Sequence, residues 1–226
     1  MFTGIVEDLG TVMSLVKGGD FARLTVASDV VVTDRTVLGE SIAVNGVCLT
    51  VTGVDGSEFT ADVMHETLRR SSLGTLHRGS HVDLERAMSA DGRFSGHIVS
   101  GHIDGTGEIA SIKRDGIAIE YTIRAPRDLM RFIAEKGSIA VEGISLTVTF
   151  ADDQGFGVSI IPHTAEHTVL PERRVGDRVN LEIDPIARYV ARLMGMDGGH
   201  PVGDGGHSAA GAGGSLTRNF LLEHGF

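Results

Sequence analysis

Shifting the sequence against itself by 97 residues superimposes Ser41-Ile-Ala-Val-Asn-Gly-Val-Cys-Leu-Thr-Val-Thr52 on Ser138-Ile-Ala-Val-Glu-Gly-Ile-Ser-Leu-Thr-Val-Thr149, with nine of twelve positions identical. The same shift aligns Gly79-Ser-His-Val-Asp-Leu-Glu85 with Gly176-Asp-Arg-Val-Asn-Leu-Glu182, Thr3-Gly4 with Ser100-Gly101, Thr67 with Thr164 and Leu73 with Leu170. One register spanning both halves means a tandem duplication, and an internal repeat constrains a fold more than any local pattern. The halves run near 1–93 and 94–184, and 185–226 lies outside the repeat.

Each half reads as short strands. Ala22, Leu24 and Val26 alternate with Arg23 and Thr25; Phe59, Ala61 and Val63 alternate with Glu58, Thr60 and Asp62; Val82 and Leu84 alternate with His81, Asp83 and Glu85. In the second half Ile117, Ile119, Tyr121 and Ile123, and then Val179, Leu181 and Ile183, repeat the period of two. Such alternation marks antiparallel sheet with one face in water. Lys17-Gly-Gly-Asp20, Val54-Asp-Gly-Ser57 and Asp115-Gly116 separate the strands at hairpin spacing. A unit of this size built from many short strands is expected to close into a small all-β barrel, since closure removes exposed edges.

Helical pattern is scarce. Pro126 is placed to open a short helix carrying Leu129, Phe132 and Ile133. Beyond the repeats, Asp184 reads as an N-cap and Pro185 as the first turn of a helix with Ile186, Tyr189, Val190, Leu193 and Met194 on one stripe. The stripe has two readings of equal weight, packing back on the second barrel or contact between subunits. Gly195 to Gly214 reads as a flexible linker, and Leu216 to Phe226 as a short terminal segment.

Composition narrows the function classes. A net charge of −10 repels phosphate backbones, and no Trp with two Tyr makes a poor base-stacking platform, so nucleic acid is not an expected partner. No apolar run reaches the ~18 residues of a membrane helix, and no basic start leads into an apolar leader. The one cysteine, Cys48, excludes a disulfide framework and fits a reducing cytoplasm. Glycine, at 31 residues, is about twice its ordinary ~7% usage, and it punctuates the strands as turns.

In a duplicated fold the informative positions are the matched ones that differ. Cys48 corresponds to Ser145, Asn45 to Glu142, Ile5 to His102 and Gly39 to Lys136. A shared framework with unequal reactive groups suits two copies of one ligand given different fates. His97 and His102, five apart, have no third ligand cluster, so no metal is expected. Ser145 with His102 has the composition of a nucleophile and its base, though no Gly-x-Ser-x-Gly elbow is present. Cys48 on an apolar strand is more often a small core residue than a nucleophile. Thr50 and Thr147 are ordinary strand formers whose mirrored hydroxyls also suit heterocycle carbonyls. Lys136 has a solvated reading. From the residues alone, the expectation is a two-barrel protein binding a polar heterocycle twice.

The opening Met1-Phe-Thr-Gly-Ile-Val-Glu7 closely resembles the start of the riboflavin synthase family, which is built from two lumazine-binding repeats. Asn45-Gly-Val-Cys-Leu-Thr-Val51, Gly96-His-Ile-Val-Ser-Gly-His-Ile-Asp-Gly105, Gly143-Ile-Ser-Leu-Thr-Val148, Glu182-Ile-Asp-Pro185 and the tail Leu216–Phe226 are similar to its later motifs. The resemblance implies two tandem closed, antiparallel, six-stranded Greek-key barrels, 1–93 and 94–184, followed by an oligomerisation helix, linker and tail at 185–226. It implies a cofactor-free dismutation in which one 6,7-dimethyl-8-ribityllumazine donates four carbons to another. The products are riboflavin and 5-amino-6-(D-ribitylamino)uracil, in the last step of riboflavin biosynthesis. It further implies a cytoplasmic homotrimer, with two ligands per site between the first barrel of one subunit and the second barrel of a neighbour.

Carried over by motif, the substrate contacts are Gly4, Ile5, Val6, Cys48, Leu49, Thr50, Asp62, Val63, Met64, His65, Glu66 and Thr67, grouped with the first barrel. Gly101, His102, Ile103, Lys136, Ser145, Leu146, Thr147, Ser159, Ile160, Ile161, Pro162, His163 and Thr164 are grouped with the second. For chemistry the resemblance points to His102, Ser145 and Thr147, supported by Ser41 and Cys48. His102 is the candidate base, because an imidazole titrates near neutrality. The competing reading is a lumazine-binding antenna or carrier of the same superfamily, which binds without turnover. A flavin reductase barrel would want a nucleotide-binding domain that this chain has no length for.

Overall fold

The computed structural model describes residues 1–195. Gly195 is the last residue described, so the rest of the Gly-rich stretch and the segment Leu216–Phe226 lie outside the described residues.

The first half forms β1 (Asp8–Lys17), β2 (Phe21–Ala27), β3 (Ser41–Val44), β4 (Val47–Asp55), β5 (Glu58–Met64) and β6 (His81–Arg86), with helix α1 (His65–Arg70) after β5. Its strands close into an antiparallel barrel in the order β1-β2-β5-β4-β3-β6. The second half repeats this with β7 (Gly105–Asp115), β8 (Ala118–Arg124), β9 (Ser138–Val141), β10 (Ile144–Ala151), β11 (Gly155–Ile160) and β12 (Arg178–Ile183). They close in the matching Greek-key order β7-β8-β11-β10-β9-β12. Helices α2 (Arg127–Met130), α3 (Pro162–Glu166) and α4 (Pro185–Leu193) complete the described elements apart from short 3₁₀ turns.

The alternation read from the sequence sets the inside of each barrel. Leu24, Val26, Ile42, Val51, Phe59 and Leu84 fill the first, and Ile109, Ile123, Ile139, Val148, Phe156 and Leu181 fill the second. Register shifts fall at matched places, Val12/Ser14 with Ile109/Ser111 and Val51/Gly53 with Val148/Phe150. Bulges there bend β1, β4, β7 and β10, as a small closed barrel requires.

The barrels pack about an internal pseudo-two-fold, and residues related by the 97-residue shift meet each other. Phe2 and Val99 pair as an antiparallel bridge, with Phe2 N donating to Val99 O at 2.8 Å and Val99 N donating back at 3.1 Å. The β3–β4 turn at Asn45-Gly46 and the β9–β10 turn at Glu142-Gly143 have left-handed φ at both positions (47° and 78°; 51° and 87°), the geometry of a two-residue hairpin. These turns abut backbone to backbone: a Cβ on Gly46 would lie 2.7 Å from Gly143 N, and one on Gly143 2.6 Å from Gly46 N. Buried polar bonds cross the junction in symmetric pairs. Ser72 N donates to Asn180 Oδ1 at 2.6 Å and Val169 N to Asp83 Oδ1 at 2.8 Å. Within each barrel Asn45 Oδ1 accepts from Asp83 N and Glu142 Oε1 from Asn180 N, while Asn180 Nδ2 crosses to donate to Asn45 O at 2.8 Å. The Asn45/Glu142 difference therefore sits in the barrel junction, where Arg173 pairs with the second oxygen of Glu142 at 2.6 Å.

Asp184 caps α4 as its pattern predicts, accepting from Ile186 N at 2.9 Å. The apolar stripe, however, packs on neither barrel: Ile186, Tyr189, Val190 and Leu193 are all exposed, Leu193 to 88%. Among the described residues no helix is long and apolar enough to cross a membrane.

Candidate functional site

Residues 48, 50, 145 and 147 sit on the outer walls of their barrels, because Leu49, Val51, Leu146 and Val148 take the inward positions. Cys48 is therefore half-buried on the outside of β4 and not a member of the barrel core. What covers these walls is an exchange of segments. The loop before β7 reaches the first barrel, where Cys48 N donates to Gly101 O at 2.9 Å and Ile103 packs on the first core. The chain start reaches the second barrel, where Ser145 N donates to Gly4 O at 2.7 Å and Val6 packs on the second core. The motif-based grouping by half is corrected accordingly: Gly4–Val6 belong with Ser145, and Gly101–Ile103 with Cys48. The reason is the pseudo-two-fold, which lays each tip across to the other barrel's hairpin.

Each tip is held at its base by a carboxylate of its own barrel. Glu85 accepts from Thr3 N at 2.6 Å, Thr3 Oγ1 at 2.8 Å and Gly4 N at 3.0 Å. Glu182 accepts from Ser100 N, Ser100 Oγ and Gly101 N at 2.6, 2.7 and 2.9 Å. Burial pushes both carboxyls above their ordinary range, and these donors work against that rise.

At the first barrel the exchange produces a cavity of about 210 Å³ lined by Cys48, Glu66, Thr67, Arg70, Gly101, His102 and Ile103. That is below the roughly 300–1,000 Å³ of an ordinary small-molecule pocket, and this wall with its cavity is one of two related half-sites, one on each barrel. Glu66 is bound to Arg69 and Arg70, which hold its carboxyl below the usual range. Exposed Met64 and its repeat partner Ile161 lie at matched positions at the ends of β5 and just beyond β11, 70% and 58% exposed.

The second half-site has different chemistry. Ser145 Oγ lies 2.7 Å from Nδ1 of His97, which is 8% exposed, and Nε2 of that ring is buried without a partner among the described residues. Burial lowers the imidazole's pKa, opposed by the charge of Asp184. The Ser145–His102 pairing considered from sequence is thus corrected: His102 is exposed in the other half-site, and Ser145 is paired with His97. Within the chain, His97 and His102 lie in separate half-sites. Sequence reasoning weighed His97 only as a metal ligand; its place in the segment just ahead of β7, near Gly96 and Ser145, emerges from the fold.

The remaining predicted residues divide. Leu49, Val63, Leu146 and Ile160 are core side chains, so only their backbones can face a ligand. Thr50 and Thr147 are exposed and pair across their hairpins with Ser41 and Ser138. Ser41 itself lines a separate cavity of about 690 Å³ with Thr3, Glu85 and Arg86, away from Cys48 and His102. Asp62 pairs with Arg23 at 3.0 Å, and His65 contacts Gly19 O at 3.2 Å. Ser159 lies opposite Glu120 in the β11–β8 pair. Pro162, His163 and Thr164 form α3, with the His163 ring 4.4 Å from that of His167. Lys136 is exposed at φ 64°, and its N–H donates to Val148 O as that of Gly39 does to Val51 O.

The lumazine binding domain model matches the chain twice, at residues 3–87 and 100–184. Over 194 residues, 86% of this chain and 90% of the relative, the sequence is 54% identical to the riboflavin synthase of Actinobacillus pleuropneumoniae. It is 42% identical to that of Bacillus subtilis (strain 168) over the full length of both. The chain belongs to the riboflavin synthase family. Its family fold is also that of LumP complexed with riboflavin, with a TM-score of 0.75 over 81% of this chain and 99% of that one, at 23% identity.

Proposed function

We propose that the protein is a riboflavin synthase, converting two molecules of 6,7-dimethyl-8-ribityllumazine into riboflavin and 5-amino-6-(D-ribitylamino)uracil without a cofactor. The observation that carries this reading is the pair of pseudo-equivalent half-sites with unequal groups, Cys48 and His102 in one, Ser145 and His97 in the other. A dismutation needs this asymmetry: one molecule gives up a four-carbon unit and an identical one accepts it. Each half-site holds one lumazine. Backbone groups of the outward strands pair with the pyrimidine edge, and hydroxyls such as Thr50, Thr67, Thr147 and Thr164 serve the ribityl chain, since buried polar ligand atoms need partners. His102 moves the methyl proton of one ring. Holding the rings together contributes most, up to roughly 7–11 kcal/mol.

In this reading a complete site forms when the first barrel of one subunit meets the second barrel of another. The uncovered stripe of α4 supplies the contact for a homotrimer, and the assembly works in the cytoplasm. The test follows the exchange. One variant carries Cys48→Ala and His102→Ala, ruining the first half-site; another carries Ser145→Ala and Thr147→Ala, ruining the second. Alone, each should form little riboflavin by fluorescence. Any mixed trimer has one junction between an intact first and an intact second half-site, so tagged, purified mixed trimers should regain activity. Folded mixed trimers that remain dead would refute the between-subunit site. A wild-type protein that binds the lumazine and makes no riboflavin would favour the carrier reading.

A further inference from the structure

His97 adds to the chemical difference between the two half-sites, because it pairs with Ser145 in one of them while Cys48 lines the other beside His102. The tip beside Ser145 is matched at Cys48: Gly4 corresponds to Gly101, Thr3 to Ser100, and the clamping Glu85 to Glu182. The segment carrying His97 runs between the chain start and β10: a Cβ on Gly96 would lie 2.0 Å from Thr3 O and 3.1 Å from Ser145 Oγ. The imidazole is thereby pressed onto the Ser145 hydroxyl, with Nδ1 at 2.7 Å from Oγ.

Ser145 is the repeat counterpart of Cys48, which lines the cavity at the first barrel. We propose that His97 is a positioning residue for the reaction, acting through Ser145: its neutral Nδ1 accepts the hydroxyl proton and fixes Oγ with a lone pair toward the second-barrel lumazine. This rests on the riboflavin synthase reading. Asp184, at the start of α4, is the charged group that acts on the ring, and Ser145 is its polar partner. Burial holds the ring neutral at physiological pH, while a protonated imidazole would donate through Nδ1 and leave Oγ accepting. The arrangement therefore fails as the medium becomes acidic. No bond to carbon is required of the pair; the proton stays within the hydrogen bond.

The experiment compares wild type, His97→Asn, His97→Ala, Ser145→Ala and the His97→Ala/Ser145→Ala double variant, with riboflavin formation followed from acid to mildly alkaline pH. Equilibrium binding of 6,7-dimethyl-8-ribityllumazine is measured alongside by its fluorescence. His97→Ala should lower kcat by about 10²-fold, the size of effect that misplacing a reacting group produces, with KM nearly unchanged. His97→Asn keeps a neutral hydrogen-bonding atom near the Nδ1 position, so it should recover part of the loss and lack the acid limb that belongs to His97. The double variant should be no worse than Ser145→Ala alone. Wild-type kcat in His97→Ala, an acid limb unchanged in His97→Asn, or additive losses in the double variant would each overturn the proposal. If His97→Ala does not fold, the profile of His97→Asn decides it. A wild-type protein that binds the lumazine without turnover would instead overturn the proposed function.

Discussion

Replacing Gly143 by Ala probes the contact that sets the two barrels against each other. Two costs add. The left-handed φ of 87° is open to glycine and costs an alanine about 1–2 kcal/mol. The new Cβ would then lie 2.6 Å from Gly46 N and 2.8 Å from Gly46 Cα. These are backbone atoms of a buried turn, so relief requires the hairpins to separate, an overpacking cost of about 1–3 kcal/mol. Gly79 provides the control: its φ is 86°, and a Cβ there meets nothing within 4 Å, leaving only the backbone cost. Gly143→Ala should therefore lose about 1–3 kcal/mol more than Gly79→Ala in equilibrium denaturation followed by far-UV circular dichroism. Gly46→Ala should cost about as much as Gly143→Ala. The double variant should cost less than the sum, because one separation relieves both clashes. Equal losses at 143 and 79 would refute the backbone-to-backbone junction. Activity should fall with stability, since Ser145 and the chain start meet two residues beyond this turn.

Two further expectations follow. Replacing Ile186, Val190 and Leu193 of α4 by Ser should give smaller assemblies by light scattering while leaving barrel stability unchanged, since each side chain buried between subunits is worth about 1.5–3 kcal/mol; a fully active trimer in that variant would refute the role of α4. Stability should respond to pH in two opposed ways. His97 is depressed below the ordinary imidazole value of 6.5 in the fold, so its contribution is complete above that value and is lost as pH falls through its folded pKa. Asp83, fully buried, is raised well above the ordinary carboxyl value of 3.8, so its contribution is complete below that value and is lost as pH rises through its folded pKa. Denaturation measured from pH 4 to 8 should show Asp83→Asn gaining on wild type as pH rises, and His97→Asn gaining as pH falls; a pH-independent difference would exclude either group as the source.

Much of the fold was legible because barrel strands announce themselves by period two and the repeat doubles the signal. Leu49 and Val51 alternate inward exactly where Leu146 and Val148 do, and the turns at Asn45-Gly46 and Glu142-Gly143 sit at matched positions. The cap of α4 was legible for a local reason, since Asp184 and Pro185 act on their own first turn. Whether the α4 stripe packed back on its barrel was not, because that depends on where the helix leaves β12.

The assignment of ligand-facing segments to barrels failed for a reason that sequence order cannot show. A repeat register says which residues are equivalent; it does not say whether a segment packs on its own copy or crosses to the other. The two arrangements carry the same residues, the same glycines and the same carboxylate clamps, and they differ in one relation, the two-fold that brings Phe2 to Val99. Once that bridge exists, Gly4 can reach Ser145 and Gly101 can reach Cys48, and each half-site becomes the joint product of both copies. Duplication alone would leave those half-sites alike apart from substitutions at matched positions, such as Cys48 against Ser145. The segment ahead of β7 adds to that difference, because it lays the His97 imidazole on Ser145. A duplicated binding fold thereby acquires two unlike environments for one ligand, which is what a reaction between identical molecules demands.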